Sequence, residues 1–349
     1  MTISFFDGHN DALFRLAGYD HPAPEQLFLA GRPDGHIDLP RARRGGMIGG
    51  FFALYAESAT GLDFSIFEGD SYCAPLPPEV PRATAWDAMA RQIAILNRLI
   101  AASDGAVRLC RTATEIDAAR AGGQLAIVLH VEGAEAIDED LVMLDILYKL
   151  GLRSLGPVLS RPTRFAEGVP MAFPASPDTG PGLTKAGERL VRACNAKGIM
   201  IDLSHLNESG FWDVVRLSDA PLVATHSNLH SLCPSSRNLT DRQLDAIRDS
   251  DGLVGINLAT CFLRDDGKMT AETPMDPLLD HFLGLIERLG EERVALGSDF
   301  DGAIVPEAVR DVAGVPAIFE GLRARGLDDP LLVKLAFGNW MRIIRTTIG

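Results

Sequence analysis

Eight short, near-continuously apolar runs recur along this chain, and most are followed by a stretch with helical spacing. The runs are "ISFF" (3–6), "IGGFFALY" (48–55), "LAIVLHV" (125–131), "RSLGPVL" (153–159), "IMIDLS" (199–204), "PLVATH" (221–226), "GLVGINL" (252–258) and "RVALGS" (293–298). Strands apolar on both faces belong to a parallel sheet covered on both sides, and parallel neighbours need a crossover, usually a helix. Helical patterns fill the gaps: "WDAMARQIAILNRLIAA" (86–102), "TATEIDAARA" (112–121), "DLVMLDILYKLG" (140–151), "AGERLVRACNAKG" (186–198), "TDRQLDAIRDS" (240–250) and "LLDHFLGLIERLG" (278–290). Thr112 followed by Glu115 is a capping-box pattern, and several segments end in Gly. The alternation predicts an α/β protein, a (β/α)8 TIM barrel in one domain over 1–349, with long loops after strands 1, 2 and 4. A doubly wound open sheet is the alternative, but the first strand has no glycine-rich phosphate turn after it.

A barrel of this kind makes a demand on the sequence, because its active site lies at the C-terminal ends of the strands. Strand one runs into "DGHND" (7–11), with His9 and Asp11 two residues apart. Residues i and i+2 of a strand share a face, so an imidazole and a carboxylate converge there. Against this stands a plain turn in which Asp7, Gly8, Asn10 and Asp11 are only turn formers. The other strand ends weigh for chemistry: Glu132 in "HVEGAE", His205 in "IDLSHLN", His226 in "ATHSN" and Asp299 in "GSDFDG".

Three histidines and three carboxylates suit two divalent cations of borderline softness, zinc above all. Two ions close together need a bridging ligand, and Glu132 lies between the first pair and the later histidines in strand order. One ion is then expected on His9, Asp11 and Glu132, the other on Glu132, His205 and His226, with a water or hydroxide shared between them as nucleophile. Asp299 is left to act as general base.

The formal net charge of −14 argues against a nucleic-acid partner, since phosphate binding needs clustered Lys and Arg and "RARRGG" (41–46) is the only short basic run. No stretch approaches a membrane span, a signal peptide has no room before residue 7, and the C-terminal "RIIRTTIG" carries no hydrophobic tail. Five scattered cysteines (73, 110, 194, 233, 261) with no CxxC pair predict reduced, mostly buried thiols in a cytoplasmic protein.

"DGHND", "VEG", "IDLSH", "THS…SSRN" and "GSDFDG", in this order, resemble the membrane (renal) dipeptidase family of binuclear zinc metallopeptidases. The similarity spans essentially the whole chain, including "HIDLPRARRGGMIGGFFALY" (36–55) and "GNWMRII" (338–344). The resemblance implies a (β/α)8 barrel that hydrolyses dipeptides and tolerates a D-residue or dehydro residue at the C-terminal position. It implies His9, Asp11, Glu132, His205 and His226 as ligands, Asp299 as the catalytic aspartate, and Arg237 in "SSRN" as the clamp on the substrate carboxylate. A homodimer would rest on that resemblance alone.

Two positions depart from the family pattern. Where the family has a histidine that binds substrate and stabilises the oxyanion, the flanks of "GLRSLGPVLSRPTRFAEG" (151–168) place Leu159. Arg161 or Arg164 could supply the donor, or the second zinc could carry more of the charge. The family disulfide between the loops after strands two and four is also broken, since Cys73 faces Arg161 in the pattern. His130, His230, His281, His21 and His36 match no family ligand. The loops 56–83 and 160–183 are expected to wall the pocket, with Phe64, Phe67, Tyr72 and Phe165 as candidate wall residues. Two alternatives stay open: another binuclear barrel hydrolase (amidase, lactonase or deaminase), and a noncatalytic metal-containing binding protein.

Overall fold

All eight apolar runs carry strand. The computed structural model describes residues 3–349, so the first two residues of the 1–349 domain lie outside the described residues. The strands are β1 (Phe5–Asn10), β2 (Met47–Leu54), β3 (Tyr72–Cys73), β4 (Val107–Leu109), β5 (Leu125–Glu132), β6 (Leu152–Gly156), β7 (Ala172–Phe173), β8 (Met200–Ile201), β9 (Val223–Ala224), β10 (Leu253–Ile256) and β11 (Val294–Leu296). One sheet runs β1-β2-β5-β6-β8, with β4 also on β5, and a second runs β9-β10-β11. Every pairing in both sheets is parallel. Single parallel bridges, Asp202 to Val223 and Asn10 to Phe300, join the two sheets at either side.

The strand faces divide the apolar residues into two layers. Phe5, Phe52, Leu54, Ile127 and Leu129 join the large cluster that includes the flanking helices. Their sequence neighbours Phe6, Phe51, Ala126 and Val128 face the other way and meet Met200, Val223, Leu253 and Ala295 around Trp340. A sheet whose second face packs on itself is curled. Gly8 lies in this crowd: a Cβ there would overlap the Trp340 ring and approach the carbonyls of Thr225 and Leu296 to 2.8 and 2.9 Å. So Gly8 is a close-approach residue inside β1, not a turn former.

The six expected helices are present as Arg82–Ala102, Ala113–Ala121, Val142–Leu150, Lys185–Lys197, Asp241–Asp249 and Met275–Leu289. Thr112 accepts from the Glu115 N–H, and Thr240 with Gln243 completes a full capping box. Strands "IMIDLS" and "PLVATH" are each only two residues long in β8 and β9, shorter than expected. Side chains take over the backbone donors there: Asp202 accepts from the N–H groups of Ser204 (3.0 Å) and Thr225 (2.8 Å), and Ser204 Oγ accepts from His226 N–H (3.1 Å). The pair β3–β7 is antiparallel and ties the two long loops together.

Of the candidate wall residues, Phe67 and Tyr72 pack with Phe173, Cys233, Cys261 and Phe262, whereas Phe165 belongs to the large core and Phe64 is 60% exposed. All five cysteines are free, and all but Cys73 are buried. Among the described residues no helix is long and apolar enough to cross a membrane.

Candidate metal centre

The polar strand ends meet. His9 is the penultimate residue of β1, and Asp11 starts the following helix. Their side chains converge, with His9 Nε2 3.6 Å from Asp11 Oδ1 and 3.6 Å from Glu132 Oε1. Glu132 is the last residue of β5, and the same Oε1 lies 3.0 Å from His205 Nε2 and 3.4 Å from His226 Nε2. Two groups of potential ligand atoms therefore form, His9–Asp11–Glu132 and Glu132–His205–His226, each within 4.8 Å and with Glu132 in both. A third group, His9–His226–Asp299, brings in the end of β11. His205 and Asp299 hold left-handed backbones (φ +69° and +60°), which is uncommon for residues with a side chain and typical of functional sites. A Cβ on Gly302 would overlap the Asp11 carboxylate, so only glycine fits beside it.

The fit to a cation can be tested on the polar atoms. His9 is fully buried, and neither of its ring nitrogens has a hydrogen-bond partner; Asp11 Oδ1 also lacks one. Buried polar groups without partners are rare and costly, and of these three His9 Nε2 and Asp11 Oδ1 lie 3.6 Å apart beside Glu132. The electrostatics agree. Burial alone would lower the pKa of His9, but Glu132, Asp11 and Asp299 overcome it and push it up to about 10. Glu132 is raised by burial yet held well below its ordinary value by His9, His205 and His226. Burial raises Asp11 to about 7. The cluster calls for positive charge, which a divalent ion supplies. Burial and Arg237 push His205 down to about 3, and burial and His9 lower His226, so both rings are neutral, the form that ligates. The nitrogen and oxygen donor set fits a divalent cation.

The far nitrogens of the later histidines are anchored. His226 Nδ1 is 2.8 Å from Thr225 Oγ1, which donates to Asp202 Oδ2 (2.6 Å). His205 Nδ1 lies 2.9 Å from Ser160 Oγ. Such partners select the tautomer that leaves Nε2 free for the ion. Asn257 donates to Asp299 Oδ2 (2.9 Å) and aims that carboxylate. Beneath His9, the Asp7 carboxylate accepts from the Ser298 N–H (2.8 Å), the Ser298 hydroxyl (2.9 Å) and the Asn10 amide (3.1 Å), which ties β1 to the end of β11. Asp202, Thr225, Ser160, Asn257, Ser298 and Tyr55 went unnoticed as site residues. Asp202 sits inside the motif "IDLSH", Asp7 inside "DGHND", Thr225 inside "THS", Ser298 inside "GSDFDG" and Tyr55 at the end of "HIDLPRARRGGMIGGFFALY"; Asn257 lies in none of the short motifs. Burial and the charges of Asp11, Glu132 and Asp299 push the Tyr55 hydroxyl upward.

Arg237 is buried against the cluster. Its Nη2 donates to the His226 carbonyl (3.3 Å), its guanidinium carbon lies 5.3 Å from the centre of the Phe262 ring, and Nε has no partner. No carboxylate lies within ion-pair distance of it among the described residues, so its charge faces the site unneutralised. Arg161 and Arg164, the expected replacements for a donor at Leu159, are not brought to the cluster. Arg161 is fully buried with Nε on Glu135 (2.5 Å), Nη1 on Ser58 (2.8 Å) and Nη2 on the Ala56 carbonyl (2.7 Å). Arg164 reaches Glu79 at 3.5 Å. Both tie loops together. Leu159 itself is partly buried. His130 stands under the cluster, with Nδ1 2.9 Å from Ser154 Oγ and Nε2 3.7 Å from Asp202. His230 contacts the Ala175 carbonyl, and His36 accepts from the Asp301 N–H.

Known proteins resemble this chain to different degrees. The metallo peptidase of Rhodobacter sphaeroides, solved with a phosphinate mimic of the dipeptide L-Ala-D-Ala, is 50% identical with a TM-score of 0.97, covering 99% of this chain and 100% of that one. A protein from the pqqA 5' region of Klebsiella pneumoniae is 49% identical over 259 residues, 74% of this chain and 96% of its own. Dipeptidase ataJ of Aspergillus terreus is 26% identical over 361 residues, 98% of this chain and 84% of its own. The model for membrane dipeptidase, peptidase family M19, matches residues 1–348. The chain therefore belongs to the membrane dipeptidase family, peptidase family M19, and is a metallo-dipeptidase.

Proposed function

We propose that this chain hydrolyses the peptide bond of dipeptides with two zinc ions as cofactor and accepts a D-residue at the C-terminal position. The observation that carries the reading is the pair of ligand groups sharing Glu132 beside an unneutralised buried guanidinium, Arg237. His9, Asp11 and Glu132 would hold one ion, and Glu132, His205 and His226 the other. When bound, such ions lower the pKa of a water and polarise a carbonyl oxygen. Arg237 pairs with the free carboxylate of the substrate, a bidentate contact that fixes the scissile bond against the cluster. Asp299, aimed by Asn257, takes the proton of the attacking water and returns it to the leaving nitrogen. D-residue acceptance is supported by the L-Ala-D-Ala mimic bound to the Rhodobacter sphaeroides protein. We read the two parallel sheets and their two bridges as one (β/α)8 barrel in a single domain, with the site at its C-terminal mouth.

The test is hydrolysis of L-Ala-L-Ala, L-Ala-D-Ala and Gly-D-Ala by zinc-loaded and by chelator-stripped protein. Turnover only with metal, with the D-containing dipeptides among the substrates, is the expected result. A protein with two ions bound that cleaves none of the three would sink the reading.

A further inference from the structure

Attack on a peptide carbonyl pushes the C=O electron pair onto oxygen, and that oxyanion needs a hydrogen-bond donor. The donors around the cluster are mostly committed. Ser160 Oγ is on His205 Nδ1, Asn257 is on Asp299, and Arg161 is spent on Glu135, Ser58 and Ala56. Leu159 has none to offer.

Tyr55 is different. On β2, Ala53 pairs with His130 and Leu54 with Val131, so continuing the register by one residue sets Tyr55 beside Glu132. Phe51 belongs to the inward cluster, and the alternation carries that inward direction through Ala53 to Tyr55. Backbone and ring are both fixed. Gln92 accepts from the Tyr55 N–H (3.3 Å) and donates to its carbonyl (2.7 Å), and the ring stacks on Phe14 at 4.1 Å between centres. The hydroxyl makes no hydrogen bond among the described residues, and the residue is partly buried. Along the sheet, β2 and β6 flank β5 on opposite sides, so Tyr55 and the segment that leads from Gly156 to Leu159 leave the sheet on either side of Glu132.

We infer that the Tyr55 hydroxyl is the donor to the oxyanion formed at the attacked carbonyl, filling a need that Leu159 cannot meet. This rests on the dipeptidase reading above. The bookkeeping of the step is complete without an added reactant. The water oxygen bonds to the carbonyl carbon, its proton passes to Asp299, and the C=O pair resides on the oxyanion. Collapse restores C=O, breaks the C–N bond, and the proton goes from Asp299 to the leaving nitrogen. Tyr55 keeps its proton throughout, since burial and the nearby carboxylates push its hydroxyl above the ordinary phenol range.

The experiment compares zinc-loaded wild type with Tyr55→Phe, which keeps the stack on Phe14. With L-Ala-D-Ala, kcat is expected to fall about 10²-fold, the usual loss for one oxyanion donor. KM, zinc content and thermal midpoint stay near wild type, and affinity for the phosphinate mimic falls in step with kcat/KM. A kcat unchanged in Tyr55→Phe, or a loss confined to KM, overturns the proposal. Absence of turnover in the wild type overturns the dipeptidase reading instead. Tyr55 is then judged by phosphinate binding, where equal affinity in the two proteins counts against it.

Discussion

The floor and the mouth of the curled sheet are built from the same strands and obey opposite rules. At the floor, inward residues are apolar and close-packed: Phe6, Phe51, Ala126 and Val128 surround Trp340, whose Nε1 finds the Leu296 carbonyl at 2.8 Å. Two residues further along β5 the inward positions become His130 and Glu132, and polar atoms without partners collect. The floor satisfies everything it buries. The mouth leaves His9 and Asp11 unsatisfied and charged groups crowded, a condition that only a ligand relieves. Stability and chemistry are thus separated along the strand direction by only a few residues.

The comparison can be broken at the mouth first. Glu132→Gln replaces the carboxylate that faces three histidines by a neutral amide with one oxygen and should lower kcat by at least about 10³-fold, because an amide cannot bridge the two proposed ions. Metal content by elemental analysis should fall below that of wild type, for which we propose two ions per chain, with the fold retained by circular dichroism. At the floor, Trp340→Ala should do the reverse. It removes a fully buried indole and costs about 3–5 kcal/mol in denaturant unfolding, while kcat per folded molecule stays within about two-fold of wild type. A large kcat loss in Trp340→Ala with stability intact would show the two regions to be coupled.

A smaller effect lies between them. Thr225→Val cuts the link from Asp202 to His226 and should weaken binding of the proposed zinc about 10- to 100-fold in competition with a chelator, with little change in thermal midpoint. The smallest effect sharpens the contrast using a histidine outside the mouth. His281 is as buried as His9, but its Nδ1 accepts from the Leu229 N–H and its Nε2 donates to the Leu263 carbonyl. Burial lowers its pKa from 6.5 to about 4. The folded state therefore binds fewer protons than the unfolded chain between those values, and stability falls as pH drops through that window. Wild type should lose stability relative to His281→Gln between pH 6.5 and pH 4 in urea titrations, and the gap should be constant above pH 7. A flat difference across the window would remove His281 from the account.

Much of this was legible in the sequence because the signals are local. Apolar runs of strand length mark parallel strands, helical spacing marks the crossovers, and a polar residue closing each of several runs marks the mouth; His9, Asp11, Glu132, His205, His226 and Asp299 all lie where those rules put them. What periodicity cannot show is which polar atoms meet. Strands β8 and β9 shrank because Asp202 and Ser204 took over backbone donors, and Thr225 and Asn257 came to the cluster through Asp202 and Asp299, far away in the chain. Arg161 and Arg237 make the point most plainly. Both are buried arginines in loops after strands, and although "SSRN" marks Arg237 by resemblance, the pattern around them does not show which one meets a carboxylate. The sequence by itself determined the element types and the residues standing at the strand ends, since these follow from side-chain alternation along one segment. Only the tertiary structure decided that Arg161 meets Glu135, 26 residues away, while Arg237 meets no carboxylate among the described residues, because ion pairing depends on which loops converge in space.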